Sequence, residues 1–291
     1  MKIILSETLS YCFGVRKTLE LTDELLAGRP DRTYYMLGEI VHNEHVIEAL
    51  MARGLRIVQA LEDVPAGGVV ILQSHGSTRR RYDELAARGL EFVDATCPMV
   101  RIIHDRIRAV EAQGRVPVVI GQAGHEEVRG IVGQVARALV VKSAEEVTPE
   151  LFAGVERAGV VAQSTFIEEE ARRIVGRIRA LVADVVFHDT ICQPTKTRQH
   201  EVETHTPKAD VVIVIGSRHS ANTRHLFNIA RAINPRTHLI DSPESVESLD
   251  IPGRATVFVA SGASTPMELV TEVVRRLEAR AAASGEREKA P

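Results

Sequence analysis

Three cysteines, Cys12, Cys97 and Cys192, are all the thiols of this 291-residue chain, and they stand in matched surroundings. Cys12 lies between the first β-branched run and an amphipathic stretch beginning near Arg16. Cys97 directly precedes Pro98, and Cys192 lies two residues before Pro194. Proline favours the first turn of a helix, so all three thiols are expected at helix starts, where the helix dipole favours thiolate. Taken singly, each could be a small buried hydrophobe. An odd count argues against a disulfide framework, and a lone nucleophilic cysteine would not need the other two. Three thiolates converging on one point repel unless a metal lies between them. Zinc with three cysteines would normally take a fourth Cys or His, and long gaps without a C-x-x-C pair are atypical of structural zinc. An iron–sulfur cluster on three thiolates would leave one iron open as a Lewis acid toward a substrate oxygen. The residues themselves leave both metals open.

A second set is built of histidines, hydroxyls and an amide. His75 and His125 each follow an expected strand, and His42 stands in Gly38-Glu-Ile-Val-His-Asn43. Further strands run into Gln163-Ser-Thr165, Gly216-Ser-Arg-His-Ser-Ala-Asn222 and Ser261-Gly-Ala-Ser-Thr-Pro266. Ligands of open α/β sheets bind outside the carboxyl ends of strands, and helix N-termini suit phosphate. These segments therefore suit a diphosphate pocket. There is no G-x-x-x-x-G-K-[ST] loop and no clean G-x-G-x-x-G, so a nucleotide site lacks support. The remaining eight histidines, His104 among them, read as packing or capping residues, and Arg79-Arg80-Arg81 reads as a solvated helix face.

The elements that must position these residues alternate. Strands are expected at Lys2–Leu5, Val69–Leu72, Val116–Ile120, Ala138–Val141, Val160–Ala162, Val211–Ile215, His238–Ile240 and Thr256–Ala260. Helical patterns fall at Arg16–Ala27, Glu44–Arg53, Thr78–Arg88, Pro98–Gln113, Glu168–Val182, Asn222–Ile233 and Pro266–Ala283. Such alternation implies βαβ units and mostly parallel sheets. Asp94-Ala-Thr-Cys97-Pro echoes Asp189-Thr-Ile-Cys192-Gln-Pro, and the cysteines are spaced by 85 and 95 residues, near a third of the chain. The expected architecture is α/β, with three similar lobes of mostly parallel sheet, each giving one cysteine. The lobes are 1–96 with Cys12, 97–191 with Cys97 and 192–284 with Cys192, before a flexible tail at 285–291.

Composition narrows the function classes. Apolar residues are 44% and charged residues 26%, an ordinary globular balance, and the net charge of −3 argues against nucleic-acid binding driven by bulk charge. Aromatics are only 4%, with no Trp, which disfavours base-stacking platforms. No apolar run approaches a membrane span and the N-terminus does not read as a signal peptide, so a cytoplasmic protein is expected.

Nine segments then fall in a familiar order: Cys12-Phe-Gly-Val, Glu39-Ile-Val-His-Asn43, Ser74-His-Gly76, Asp94-Ala-Thr-Cys-Pro98, Gly124-His-Glu-Glu-Val128, Gln163-Ser-Thr165, Asp189-Thr-Ile-Cys192, Ser220-Ala-Asn222 and Gly262-Ala-Ser264. From about residue 1 to 275 the chain resembles the LytB/IspH family, 4-hydroxy-3-methylbut-2-enyl diphosphate reductases of the non-mevalonate isoprenoid pathway. The resemblance implies that the three α/β lobes sit in a trefoil-like arrangement around a central [4Fe-4S] iron–sulfur cluster, held by Cys12, Cys97 and Cys192 with one iron open to substrate. It implies diphosphate binding by His42, His75, His125, Ser220, Asn222 and Ser264, a proton donor at Glu127 with Ser164 as its hydroxyl relay, and Thr195 near the substrate. It further implies reductive loss of the allylic hydroxyl to give isopentenyl and dimethylallyl diphosphates, with electrons from ferredoxin or flavodoxin. Ser10, Glu126, Ser164, His219 and Ala221 depart from the usual Gly, Pro, Thr, Asn and Ser. The changes at 219 and 221 motivate a second reading, a related iron–sulfur reductase or dehydratase with another small substrate. A zinc-stabilised phosphate-binding module is a third.

Overall fold

The computed structural model describes residues 1–29, 31–38 and 44–287. The chain opens with β1 (Lys2–Leu5) and α1 (Phe13–Gly28). It continues through β2 (Tyr34–Leu37), α2 (Glu44–Ala52), β3 (Arg56–Val58), β4 (Val69–Leu72), α3 (Arg79–Ala87) and β5 (Glu91–Asp94). The middle third holds α4 (Pro98–Ala112), β6 (Val116–Ile120), α5 (Glu126–Val132), β7 (Leu139–Val141), β8 (Arg157–Ala162), α6 (Glu168–Arg179) and β9 (Asp184–His188). The last third holds α7 (Gln193–His205), β10 (Val211–Ile215), α8 (Ala221–Ile233), β11 (Thr237–Ile240), β12 (Thr256–Ser261) and α9 (Met267–Arg287).

The strands form three four-stranded sheets ordered β3-β2-β4-β5, β7-β6-β8-β9 and β11-β10-β12-β1, every pairing parallel. Numbered by order of appearance within a repeat, each sheet reads 2-1-3-4. In the third sheet the fourth strand is supplied by the N-terminus, where Lys2 pairs with Thr256. The three expected lobes are therefore present as sheets, but β1 belongs with the last third of the chain and not with residues 34–94. Each cysteine consequently follows the fourth strand of its repeat: Cys12 after β1, Cys97 after β5 and Cys192 after β9. In all three sheets the order reverses between strands 1 and 3, so a crevice opens beyond their carboxyl ends.

Strands β4, β6, β8, β10 and β12 are runs of Val, Ile, Leu, Phe and Ala buried almost throughout, as parallel strands covered on both faces must be. The helix after a cysteine serves the next sheet. From α4, Ile103 and Ile107 pack with Val119 of β6 and Val161 of β8, and from α7, Val202 packs with Val212, Val214 and Phe258. By packing, Met1–Phe13, the first residues of α2 and the chain from Gln193 onward form one compact unit, and the remainder up to Cys192 forms a second. The second unit thus contains both of the sheets made from β2–β5 and β6–β9.

Helix α9 runs to Arg287, three residues into the stretch expected to fray, and 288–291 lie outside the described residues. No helix among the described residues is long and apolar enough to cross a membrane. Helix-to-sheet contact is tight where Gly159 of β8 meets Val110 of α4: a Cβ on Gly159 would stand 2.4 and 2.5 Å from the two Val110 methyl carbons. We predict that Gly159→Ala destabilises the fold by about 1–3 kcal/mol, the usual cost of overpacking, read from the urea midpoint. An unchanged midpoint would mean that α4 can move away.

Candidate active site

In the second unit, Cys97 and Cys192 occupy equivalent turns. After β5, the Oδ1 of Asp94 accepts the Thr96 N–H at 3.0 Å, and after β9 the Oδ1 of Asp189 accepts the Ile191 N–H at 3.3 Å. Each is an Asp bonded to its own backbone two residues on, a turn that few other side chains make. This is the physical content of the D-x-x-C echo. The Cys97 N–H then donates to the Ser74 carbonyl at 2.9 Å, and the Cys192 N–H to the Ser164 carbonyl at 2.9 Å. Ser74 and Ser164 both follow a glutamine at the exit of the adjacent third strand. Cys97 caps α4, with Pro98 in the first turn, as expected.

Ser164 also holds the candidate acid. Its N–H donates to Glu127 Oε1 at 2.5 Å and its Oγ–H to Oε2 at 2.7 Å. Glu127 is only 3% exposed, and burial pushes its carboxyl up to about 7, against the two Ser164 hydrogen bonds that favour the charged form. Its neighbour Glu126 faces solvent and pairs with Arg129 at 2.8 Å. His125 caps α5, its Nδ1 accepting the Glu127 N–H at 3.1 Å, so Nε2 carries the proton of the neutral ring. His75 is 9% exposed in a loop that packs on this same helix. A Cβ on Gly130 of α5 would lie 3.5 Å from the His75 carbonyl oxygen, and Gln134 Nε2–H donates to the Ser77 carbonyl at 2.8 Å. His75, His125, Glu127, Ser164 and the two cysteines thus all arise at strand exits of one unit. The expected phosphate ligand His42 lies outside the described residues.

The first unit gathers the others. Ser220 caps α8, and Asn222 in the first turn accepts the Ala263 N–H on Oδ1 at 3.0 Å, tying the exits of β10 and β12 together. Asn222 is 4% exposed and its Nδ2 has no partner among the described residues, an amide donor available to an oxyanion. Ser264, also buried, stands in the same turn after β12, and Thr195 is 1% exposed in the first turn of α7. Cys12 donates its N–H to the Ala263 carbonyl at 3.1 Å. Cys12 and Asn222 therefore both bond the backbone of Ala263, the residue before Ser264.

All three cysteines are thiols and partly buried. Among the described residues, no three His, Cys, Asp or Glu side chains stand together as a ready metal cage. The donor chemistry suits a thiophilic metal centre, an iron–sulfur cluster or zinc: three soft thiols, each with its backbone N–H anchored beside a strand exit. His104 is the packing residue that was expected: burial and Arg108 lower its pKa to about 4, and its ring fills the space behind Gly76. Arg198 and Glu201 are buried charges on α7 that no apolar periodicity marks.

A sequence profile of the family described as LytB protein matches residues 3–278. The chain is 35% identical over 281 residues to 4-hydroxy-3-methylbut-2-enyl diphosphate reductase 2 of Burkholderia mallei, covering 95% of this chain and 85% of that one. It is 34% identical over 280 residues to the reductase of that name in Aquifex aeolicus, covering 95% and 96%. A solved structure of (E)-4-hydroxy-3-methyl-but-2-enyl diphosphate reductase, described as the terminal enzyme of the non-mevalonate pathway, superposes with a TM-score of 0.70 at 33% identity, over 95% of this chain and 99% of that chain. The E-1-hydroxy-2-methyl-but-2-enyl-4-diphosphate reductase of Plasmodium falciparum superposes with a TM-score of 0.85 at 25% identity, over 95% and 87%. A profile match over nearly the whole length, with relatives above 30% identity along it, places the chain in the LytB protein family.

Proposed function

We propose that this chain reduces (E)-4-hydroxy-3-methylbut-2-enyl diphosphate to isopentenyl and dimethylallyl diphosphates. The allylic C–O bond breaks, two electrons and two protons enter, and the hydroxyl leaves as water. The observation that carries this reading is the Glu127–Ser164–Cys192 chain of hydrogen bonds. One serine gives its N–H and hydroxyl to a buried carboxyl whose pKa burial raises to about 7, and its carbonyl to the N–H of a candidate iron ligand. Hydroxide is a poor leaving group, and a carboxylic acid in reach of it supplies the missing proton. A [4Fe-4S] cluster held by Cys12, Cys97 and Cys192, with one iron open to substrate, would supply single electrons and Lewis acidity that side chains lack. Ferredoxin or flavodoxin would deliver those electrons.

The chain's own residues do the rest. His42, His75 and His125, with Ser220, Asn222 and Ser264, donate to the diphosphate, and Thr195 lies beside the substrate. The exposed-free position of Glu127 keeps its proton out of bulk water until substrate binds, and Ser164 Oγ relays it. The test is anaerobic turnover with a reduced dye, comparing the diphosphate with its unphosphorylated alcohol, alongside iron and sulfide analysis. Turnover of the alcohol as fast as the diphosphate would refute the phosphate assignment, and zinc in place of iron and sulfide would refute the redox one. We also expect His75→Ala and His125→Ala each to raise KM by roughly ten- to a hundred-fold, the scale of one hydrogen bond to a charged group. Unchanged KM in both would remove these histidines from the phosphate site.

A further inference from the structure

The segment from Ser6 to Cys12 is held on two sides within its unit. Toward β12, Ser6 N–H donates to the Val259 carbonyl at 2.9 Å, Ser10 N–H to Ser261 Oγ at 2.7 Å and Cys12 N–H to the Ala263 carbonyl at 3.1 Å. Toward α7, the Arg198 Nη2–H donates to the Ser10 carbonyl at 2.7 Å. Glu201 Oε2 accepts from the Ser6 hydroxyl, from Thr8 Oγ1–H at 2.9 Å and from Thr8 N–H at 3.4 Å. Arg198 is 4% exposed and Glu201 9%. Three residues apart, the two charges lie on one helix face. Burying a guanidinium and a carboxylate costs desolvation that apolar residues would avoid, so hydrogen bonds must compensate, and here those bonds reach across to the loop.

Between the two sides sits Ser10, at φ 67°, which is the one non-glycine with positive φ among the described residues. A side chain disfavours that region. Both peptide groups of Ser10 are fixed, its N–H by Ser261 and its carbonyl by Arg198. Cys97 and Cys192 are preceded by an aspartate turn that sets their backbone locally. Cys12 has no such aspartate, since Leu9 stands three residues before it.

We propose that Arg198 and Glu201 are positioning residues for Cys12: they clamp the Ser6–Cys12 loop, holding Ser10 in its strained conformation, so that the thiol is set before iron arrives. This rests on the reading of Cys12 as an iron ligand. Helix α7 starts at the residue after Cys192, so the element that follows one ligand holds the loop of another.

The test uses the metal-free full chain and measures iodoacetamide alkylation of each cysteine by peptide mass spectrometry. Arg198→Met and Glu201→Gln should each raise the Cys12 rate relative to Cys97 and Cys192 by roughly tenfold, the scale of losing one hydrogen bond to a charged group. Arg198→Lys should restore part of the protection, and Ser10→Gly added to Arg198→Met should do the same, because glycine takes positive φ without strain. In reconstituted protein, Glu201→Gln should shift the electron paramagnetic resonance signal of the reduced cluster. A Cys12 rate unchanged relative to the other two overturns the clamp, as does a parallel rise at all three cysteines, which would be general loosening. If Arg198→Met does not fold, Glu201→Gln and Arg198→Lys decide by the same ratio. Full iron content in Cys12→Ser would instead refute the ligand reading, whatever the alkylation ratio.

Discussion

Glu127→Gln should retain its iron and its affinity for the diphosphate yet lose at least about a hundred-fold in turnover at pH 7, the usual effect of removing a positioned general acid. Glu126→Gln should be nearly silent. The geometry behind the contrast is that adjacent residues in a helical turn point about 100° apart. Glu127 is turned inward onto Ser164, and Glu126 outward onto Arg129. Glutamine preserves the size of the side chain and can still accept the Ser164 N–H, so what it removes is the proton. The wild-type rate should also fall above pH 7 by about tenfold per unit as the acid ionises, and the Glu127→Gln profile should lack that limb. Stability should follow the same group. Its folded value of about 7 lies above its ordinary 4.5, so the fold favours the protonated form. That contribution is fully present below about 4.5 and is lost as the pH rises through 7, so the Tm of the wild type should decline over that window while Glu127→Gln stays flatter. An inactive Glu126→Gln beside an active Glu127→Gln would put the acid on the other side of the turn.

The local devices of this molecule were legible in its sequence, and the long-range pairings were not. The D-x-x-C echo marked two cysteine turns because an aspartate that bonds its own backbone leaves a fixed spacing. Val69–Leu72 and Val211–Ile215 announced themselves as buried apolar runs. By contrast β5 and β9 carry acidic ends and only a few apolar residues, and were missed for that reason. Nothing local says that Lys2–Leu5 will pair with residues some 250 positions later, since the partner of a parallel strand is chosen by tertiary packing. Helix α7, Gln-Pro-Thr-Lys-Thr-Arg-Gln-His-Glu-Val-Glu-Thr-His, lacks an apolar stripe because its buried face is polar: Thr195, Arg198, Gln199 and Glu201. A polar buried face reads as loop or solvent-exposed helix from sequence alone, and it is here that the residues holding the Cys12 loop were hidden. The histidine and serine candidates came from order and motif alone, while the Asn222 Nδ2, without a partner among the described residues, required the fold.

Each of Cys12→Ser, Cys97→Ser and Cys192→Ser should remove most of the bound iron from anaerobically reconstituted protein and bring reductase turnover to background. Serine keeps the shape of the side chain and the backbone N–H, so the bonds from residue 97 to Ser74, from 192 to Ser164 and from 12 to Ala263 can persist, and the fold should survive with little change in Tm. What changes is the donor: a hard hydroxyl that stays protonated near pH 7 replaces a soft thiolate at a helix start. The separation of the two readouts matters. A variant that loses iron and keeps its Tm assigns the thiol to the metal, whereas one that loses both assigns it to packing. Stripping the wild type with a chelator should reproduce the serine variants, abolishing turnover while Glu127 and Ser164 remain in place, because that pair is built from α5 and the exit of β8 with no metal between them. Should any one serine variant retain full iron and turnover, that cysteine leaves the ligand set.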